Sequence, residues 1–327
     1  MRDQGKQVLK QVLKTAAAAI AMLLCASSVT RVEGLYPDRL VRIIVPFGPG
    51  SVSDGLARVA ANKLATLWNQ QIVVENRPGL PGPTSVARAP PDGYTLMITS
   101  NGHTITGVLN KDIQFDPIKD FAGVAKLASS PQVAVVPPNF PAKSLPEFIA
   151  LAKKTPGKLN FSSAGVASTS FLCAELMRQA AHIDIVHVPF KGPEAGLAVM
   201  RGDAQIYFAP FHIARELVTG GKVRAIAVNA PERTSYFPGL PTVAETLPGY
   251  SCDSWSALLV PAGTPRPIIN KLHDDFAAVM KMPDVVDKLP SMGAIASLST
   301  PQALDAQLKD ETKLYAMVLG AAGIGAK

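Results

Sequence analysis

Two Ser/Gly-rich turns carry the groups best suited to chemistry in this chain. The first, Phe47-Gly-Pro-Gly-Ser-Val-Ser-Asp54, follows a run of Ile and Val and opens an amphipathic stretch. The second, Phe161-Ser-Ser-Ala-Gly-Val-Ala-Ser-Thr-Ser170, has the same order of apolar run, turn and helical pattern. A turn that leads into a helix presents unpaired backbone N–H groups and the positive end of the helix dipole, where an anion can sit. Ser163, Ser168 and Thr169 add hydroxyl donors in the second turn, and Ser168 is placed to cap its helix. The spacing does not separate an anion cradle at the first turn from an ordinary strand–helix junction capped by Ser53 or Asp54.

Catalytic and nucleotide motifs do not fit these turns. Leu56-Ala57 stand where a P-loop needs Lys and Ser/Thr, and Ser53 occupies the third glycine position of G-x-G-x-x-G. Around Ser53 the pattern lacks the leading glycine of a nucleophile elbow. His103, His182, His187, His212 and His273 show no metal-ligand spacing, so neither a metal nor a cofactor is expected. A hydrolase using one of the turns for an oxyanion stays open as a rival. It would require a Ser–His pair within hydrogen-bond reach in the cleft.

These turns must be positioned by alternating short apolar runs and helical patterns. Strands are predicted at 41–46, 72–75, 95–99, 133–136, 159–162, 185–188, 204–208, 223–228 and 257–260, and helices at 54–68, 145–154, 169–180, 194–201 and 213–219. Ser144-Leu-Pro-Glu147 is a capping box with Pro in the first turn. Such alternation implies an α/β fold with parallel sheets covered by helices. The runs at 133–136 and 257–260 are each ended by proline and bracket a middle section the size of a small domain. They predict two α/β lobes joined by two crossing hinge strands, with a ligand cleft between. Residues 36–134 with 257–327 form one lobe and 135–256 the other.

The chain is 47% hydrophobic and 17% charged, which supports a real core. Its first 28 residues read as a secretory signal: Lys6, Lys10 and Lys14, then an Ala-rich run of 15–24, then Ala26-Ser27-Ser28. Leu24 before Cys25 argues against lipoprotein processing. The net charge of +7 is concentrated partly there, and the remainder is mildly basic, without the Arg/aromatic interleaving of a nucleic-acid binder. Cys173 and Cys252 could pair in an oxidising compartment, but Cys173 beside Leu172 and Leu176 is read as a buried free thiol.

The motifs together resemble the Bug, or TctC-like, receptors of tripartite tricarboxylate transporters. They run in order from Tyr36-Pro-Asp-Arg39 through the first turn, Val73-Val-Glu-Asn-Arg-Pro-Gly79, Pro91-Asp-Gly-Tyr-Thr95, His187-Val-Pro-Phe-Lys-Gly192 and Pro241-Thr-Val-Ala-Glu245 to Pro261-Ala-Gly-Thr-Pro265. The resemblance implies a type II periplasmic-binding-protein architecture. It implies a periplasmic, monomeric receptor that does no chemistry, captures a small organic anion and hands it to membrane transporter subunits. A ligand-sensing module for a signalling partner would share the same cleft. The implied ligand-binding residues are Phe47, Gly48, Gly50, Ser53 and Asp54 at one carboxylate and Ser163, Gly165, Ser168 and Thr169 at the other. Ser100 lies on a third loop and His103 is an auxiliary donor. Ala209 replaces a common Asp, which disfavours an amino-acid ligand. Ser51-Val52 replace glycines usual in the first turn, so a reshaped loop and a less polar cleft are expected, suited to an aromatic or larger monocarboxylate.

Overall fold

The computed structural model describes residues 36–324 except 111, 167, 191–193, 231, 235 and 253. The expected signal segment and Cys25 lie outside the described residues. The chain divides into a leading unit, 1–38, whose described part carries a cis Tyr36–Pro37 bond, and a compact body, 39–327.

The strands are β1 (Val41–Val45), β2 (Ile72–Asn76), β3 (Thr95–Ser100), β4 (Phe121–Ser129), β5 (Gln132–Val136), β6 (Asn160–Ser163), β7 (Val186–Pro189), β8 (Ile206–Pro210), β9 (Arg224–Asn229), β10 (Trp255–Pro261) and β11 (Ile295–Ala296). The helices are α1 (Val52–Trp68), α2 (Pro81–Ala87), α3 (Gly102–Leu109), α4 (Leu145–Lys154), α5 (Thr169–Ala181), α6 (Glu194–Arg201), α7 (Phe211–Thr219), α8 (Val243–Thr246), α9 (Arg266–Met280), α10 (Pro283–Val286) and α11 (Pro301–Ala321).

Two sheets result. The first has the order β11-β4-β10-β3-β1-β2 and the second β7-β6-β8-β5-β9. β1 pairs in parallel with β2 and β3, as β6 does with β7 and β8. Two strands that depart from this pattern follow the crossings between sheets: β10 runs antiparallel to β3 and β4, and β5 antiparallel to β8 and β9; the short β11 is antiparallel to β4 as well. Strands such as β1, with Ile43 and Ile44 both buried, read as unbroken apolar runs because helices cover both faces.

The strands ended by proline are not themselves the crossings. The strands at 133–136 and 257–260 lie wholly inside the second and first sheets. The chain crosses just before each, at Ser130–Pro131 and at Ser254, where the Ser130 amide donates to the Ser254 carbonyl at 2.5 Å. β4 was not predicted. Its Phe-Ala-Gly-Val-Ala-Lys-Leu-Ala-Ser run is rich in small residues, and irregular pairing with β10 breaks the alternation a strand normally shows. The C-terminal helix α11 does not belong to one lobe. Leu304 and Leu308 pack with Met97, Trp255 and Leu259 of the first sheet, whereas Tyr315, Val318 and Leu319 pack with Phe171 and Met177 of α5.

The free-thiol reading of Cys173 is overturned. Cys173 on α5 and Cys252, just before the second crossing, form a disulfide with Cα atoms 5.4 Å apart. A separation of 79 residues conceals this proximity until the second lobe is folded.

Candidate functional site

Three helices, α1, α5 and α7, begin at one cavity of about 280 Å³. Its lining includes Phe47 and Ser51–Ser53 before and at the start of α1, Ser100 after β3, and Ala164 with Ser168–Ser170 at the start of α5. It also includes Pro210–His212 at the start of α7, Ser130 and Gln132 at one crossing, and Ser254–Ser256 at the other. The cavity is therefore assembled from both sheets and both crossings. No Lys, Arg, Asp or Glu is among the described lining residues.

The first turn is built differently from expectation. Ser51, not Ser53 or Asp54, caps α1: its Oγ accepts from the Asp54 amide at 3.3 Å, and the helix starts at Val52. Gly50 takes the positive φ (84°) that a β-branched side chain resists, so Val52 meets no strain. Asp54 is a clasp beneath the turn. Its Oδ2 accepts from the Gly50 amide at 2.9 Å, and its Oδ1 accepts from Asn76 Nδ2 at 2.9 Å and pairs with Arg58 at 3.0 Å. Burial raises the Asp54 carboxyl pKa, but these partners outweigh burial and hold it below the usual range. Gly50 and Asp54 are thus spent on each other, and neither lines the cavity, nor does Gly48. The amides of Val52 and Ser53 carry no internal partner. The Ser53 hydroxyl lies 3.3 Å from that of Ser256 across the junction with β10.

In the second turn Ser168 caps α5 as expected, accepting from the Phe171 amide at 3.2 Å. Its hydroxyl donates to the Gly165 carbonyl at 2.6 Å and touches Ser170 Oγ at 2.9 Å, so it shapes the loop from the cavity wall. Ser163 Oγ accepts from the Gly165 amide at 3.1 Å, and neither Ser163 nor Gly165 lines the cavity. The amides of Thr169 and Ser170 have no internal partner among the described residues. Thr169 Oγ1 accepts from Asn101 Nδ2 at 3.2 Å, tying the start of α5 to the start of α3.

Of the residues singled out from the sequence, Phe47, Ser53, Ser100, Ser168 and Thr169 line the cavity. His103 does not. It is buried between Phe115 and Phe121 with Nε2 2.8 Å from the Pro117 carbonyl, and burial lowers its pKa to about 4, so the ring is neutral. It borders a separate cavity of about 360 Å³, which shares Phe47 with the cleft. Ala209 is buried with Val133, Val135 and Phe211 in the second-lobe core and is also absent from the lining.

The Ser–His pair that a hydrolase would require does exist. Ser163 Oγ lies 2.7 Å from His187 Nε2. Ser163 is buried and His187 half-buried, however, with the ring packed against Phe161 and Phe171, and neither partner lines the cavity. Burial lowers the His187 pKa, and the nearby charge of Glu175 offsets part of that shift.

Sequence reasoning missed Gln132, Phe211, His212 and the Ser254-Trp255-Ser256 run. The α7 start carried a usable signal, since Pro210-Phe211-His212 is a third strand-to-helix junction like the two singled out. His212 reaches across to the first-sheet side, and a Cβ on Gly293 would stand 2.6 Å from its Nδ1. Burial lowers the His212 pKa, partly offset by Glu216.

Two sheets, two adjacent crossings and a cavity between them define a two-lobe solute-binding protein. Comparison with known proteins narrows this class. Residues 56–323 match the family model described as the tripartite tricarboxylate transporter family receptor, TctC. A UPF0065 protein encoded in the tcbD–tcbE intergenic region of Pseudomonas sp. strain P51 is 31% identical over 306 residues, covering 91% of each chain. Rpa4515 of R. palustris, solved with adipate, is 30% identical with a TM-score of 0.72, covering 89% of this chain and 100% of its own. MatC from Rhodopseudomonas palustris, solved with bound malate, is 31% identical with a TM-score of 0.68, covering 87% and 100%. The chain belongs to the TctC family of tripartite tricarboxylate transporter receptors. This is a family of periplasmic solute-binding receptors. No helix among the described residues is long and apolar enough to cross a membrane.

Proposed function

We propose that this chain, exported and cleaved near residue 28, captures a small organic carboxylate in the cleft and presents it to the membrane subunits of a tripartite transporter. The observation that carries this reading is the convergence of α1, α5 and α7 on a cavity lined by hydroxyls, with no acidic or fixed cationic side chain among its described lining residues. Each helix start contributes roughly half a positive charge. The free amides of Val52, Ser53, Thr169 and Ser170 supply donors that a carboxylate accepts from. The adipate and malate held by the relatives are small carboxylates of this kind. The protein works as a monomer without chemistry on its ligand. Its lobes meet at Ser130–Pro131 and Ser254, and closure is a rotation about these crossings.

A thermal-shift screen of refolded protein against mono-, di- and tricarboxylates tests this. A ligand at a hundred times its dissociation constant adds about 2.7 kcal/mol, read as a shift of a few degrees. No shift with any carboxylate would overturn the assignment.

A further inference from the structure

Among the described lining residues of the cleft, His212 alone has a side chain that can change its charge near neutral pH. Tyr207, the other titratable group there, has its phenol pushed up to about 12 by burial and stays neutral. The rings of His103, His187 and His273 are each committed to a partner, respectively the Pro117 carbonyl, Ser163 and Asp274. The His212 ring has no hydrogen-bond partner among the described residues.

Both lobes place this ring. It springs from the first turn of α7, beside the second sheet, and lies against Gly293, which precedes β11 of the first. Gly293 admits it, since a Cβ there would stand 2.6 Å from Nδ1 and 3.2 Å from Cγ. His212 borders the cleft and, together with Ser51 and Val52, a second cavity of about 520 Å³. The residue is exposed, so its imidazole can exchange protons with water.

Without a ligand the ring is held neutral. The positive end of α7 opposes a further positive charge. Partial burial lowers the ring's pKa, and the charge of Glu216, a turn along α7, offsets part of that shift. The other elements around it bring no charge to the ring: Ser51 and Val52 lie at the start of α1, and Ser291, Met292 and Gly293 in the turn before β11. Asp54, beneath the α1 turn, is spent on the Gly50 amide and Arg58.

An anion in the cleft reverses this balance. A cavity of about 280 Å³ is about 8 Å across, so a charge anywhere in it lies within the screening length of its wall. One carboxylate is answered by the free amides at the helix starts. A second negative charge meets no fixed cation, because no Lys or Arg is among the described lining residues. The imidazole is the group that can become one.

We propose that His212 is a specificity-determining residue of the cleft, which takes up a proton as a ligand carrying a second negative charge binds. This rests on the carboxylate reading of the cleft. The free ring is neutral and the bound ring charged. Affinity for a dianion therefore rises as the pH falls through the bound-state pKa of the ring, and the gain is lost as the pH rises above it.

Calorimetric titration of refolded protein between pH 6.5 and 8.5, where both carboxylates of each diacid stay ionised, provides the test. The probes are adipate with hexanoate and malate with 2-hydroxybutyrate, each pair differing by one carboxylate. Repeating the titrations in buffers of different ionisation enthalpy counts the protons taken up. At least one diacid is expected to bind more tightly than its monoacid, to take up about 0.3 proton or more at pH 7, and to bind about tenfold tighter at pH 6.5 than at 8.5. His212→Gln should remove the uptake and flatten the pH profile, with parent and variant converging at pH 8.5, where the ring is neutral in both states. No proton uptake by the parent, uptake that persists in His212→Gln, or monoacids that bind as tightly as their diacids would each overturn the role of His212 while leaving the carboxylate site standing. Absence of binding by every carboxylate would remove both. Should His212→Gln fail to fold by circular dichroism, His212→Ala carries the same comparison.

Discussion

Replacing Gly293 by Ala tests how the lobes meet over the cleft. Gly293 follows the short 3-10 turn Leu289–Met292 and precedes β11 of the first sheet, whereas His212 sits at the start of α7 beside the second. Its φ is +75°, and a Cβ there would stand 2.6 Å from His212 Nδ1, 3.2 Å from Cγ and 3.4 Å from Cβ. Ordinary contact begins near 3.4 Å, so the ring must retreat by about 0.8 Å. Two costs follow. Left-handed strain of about 1–2 kcal/mol acts whether or not the lobes are together, and appears as lower stability of the unliganded protein. Overpacking against His212, about 1–3 kcal/mol, acts only where the lobes touch and appears as lost affinity, roughly tenfold or more. The double variant with His212→Ala separates them: it is expected to regain affinity but not stability. Titration calorimetry with the tightest carboxylate from the screen reads the first quantity, and urea unfolding the second. Unchanged affinity in Gly293→Ala, or no recovery in the double variant, would refute the lobe contact as a determinant of closure.

Three further outcomes are expected. Replacing both Cys173 and Cys252 by Ala releases a 79-residue separation and should cost about 4 kcal/mol in urea unfolding by loop entropy; a loss below about 1 kcal/mol would contradict a constraining role. His103 is held neutral in the fold with its pKa lowered from 6.5 to about 4, so its contribution is complete above pH 6.5 and declines as the pH falls toward 4. It amounts to about 3 kcal/mol, and His103→Phe should flatten that part of the stability profile relative to the parent protein. Ser168→Ala combined with Thr169→Ala removes the α5 cap and the bond from Asn101, and should weaken carboxylate binding more than tenfold; unchanged affinity would remove this loop from the site.

Much of the molecule was legible in local pattern. The apolar runs of β1, β3 and β8, the caps at Ser144 and Ser168 and the prolines that end β5 and β10 depend on neighbours in sequence, so they predict elements and their order. β4 was hidden because irregular pairing and small residues erase a period-two signal, and the α1 cap moved to Ser51 because Gly50 absorbed the positive φ. The site was legible only as far as its loops. Which hydroxyls and amides within a loop are free depends on internal bonds. Asp54 consumes the Gly50 amide, Ser163 that of Gly165, and Ser168 turns its hydroxyl to its own loop.

By itself, then, the sequence determined the alternation of strands and helices, the two-lobe organisation and two of the three helix starts that border the cavity, because these follow from periodicity, turn chemistry and ordered motifs. Tertiary structure alone decided the rest. It joined Cys173 to Cys252, kept the Ser163–His187 pair out of the cavity lining, left His103 and Ala209 outside that lining, and placed Gln132, His212 and Trp255 in it. Each of these outcomes turns on which residues distant in sequence come to share a few ångströms, and that is fixed only when both sheets and both crossings have formed.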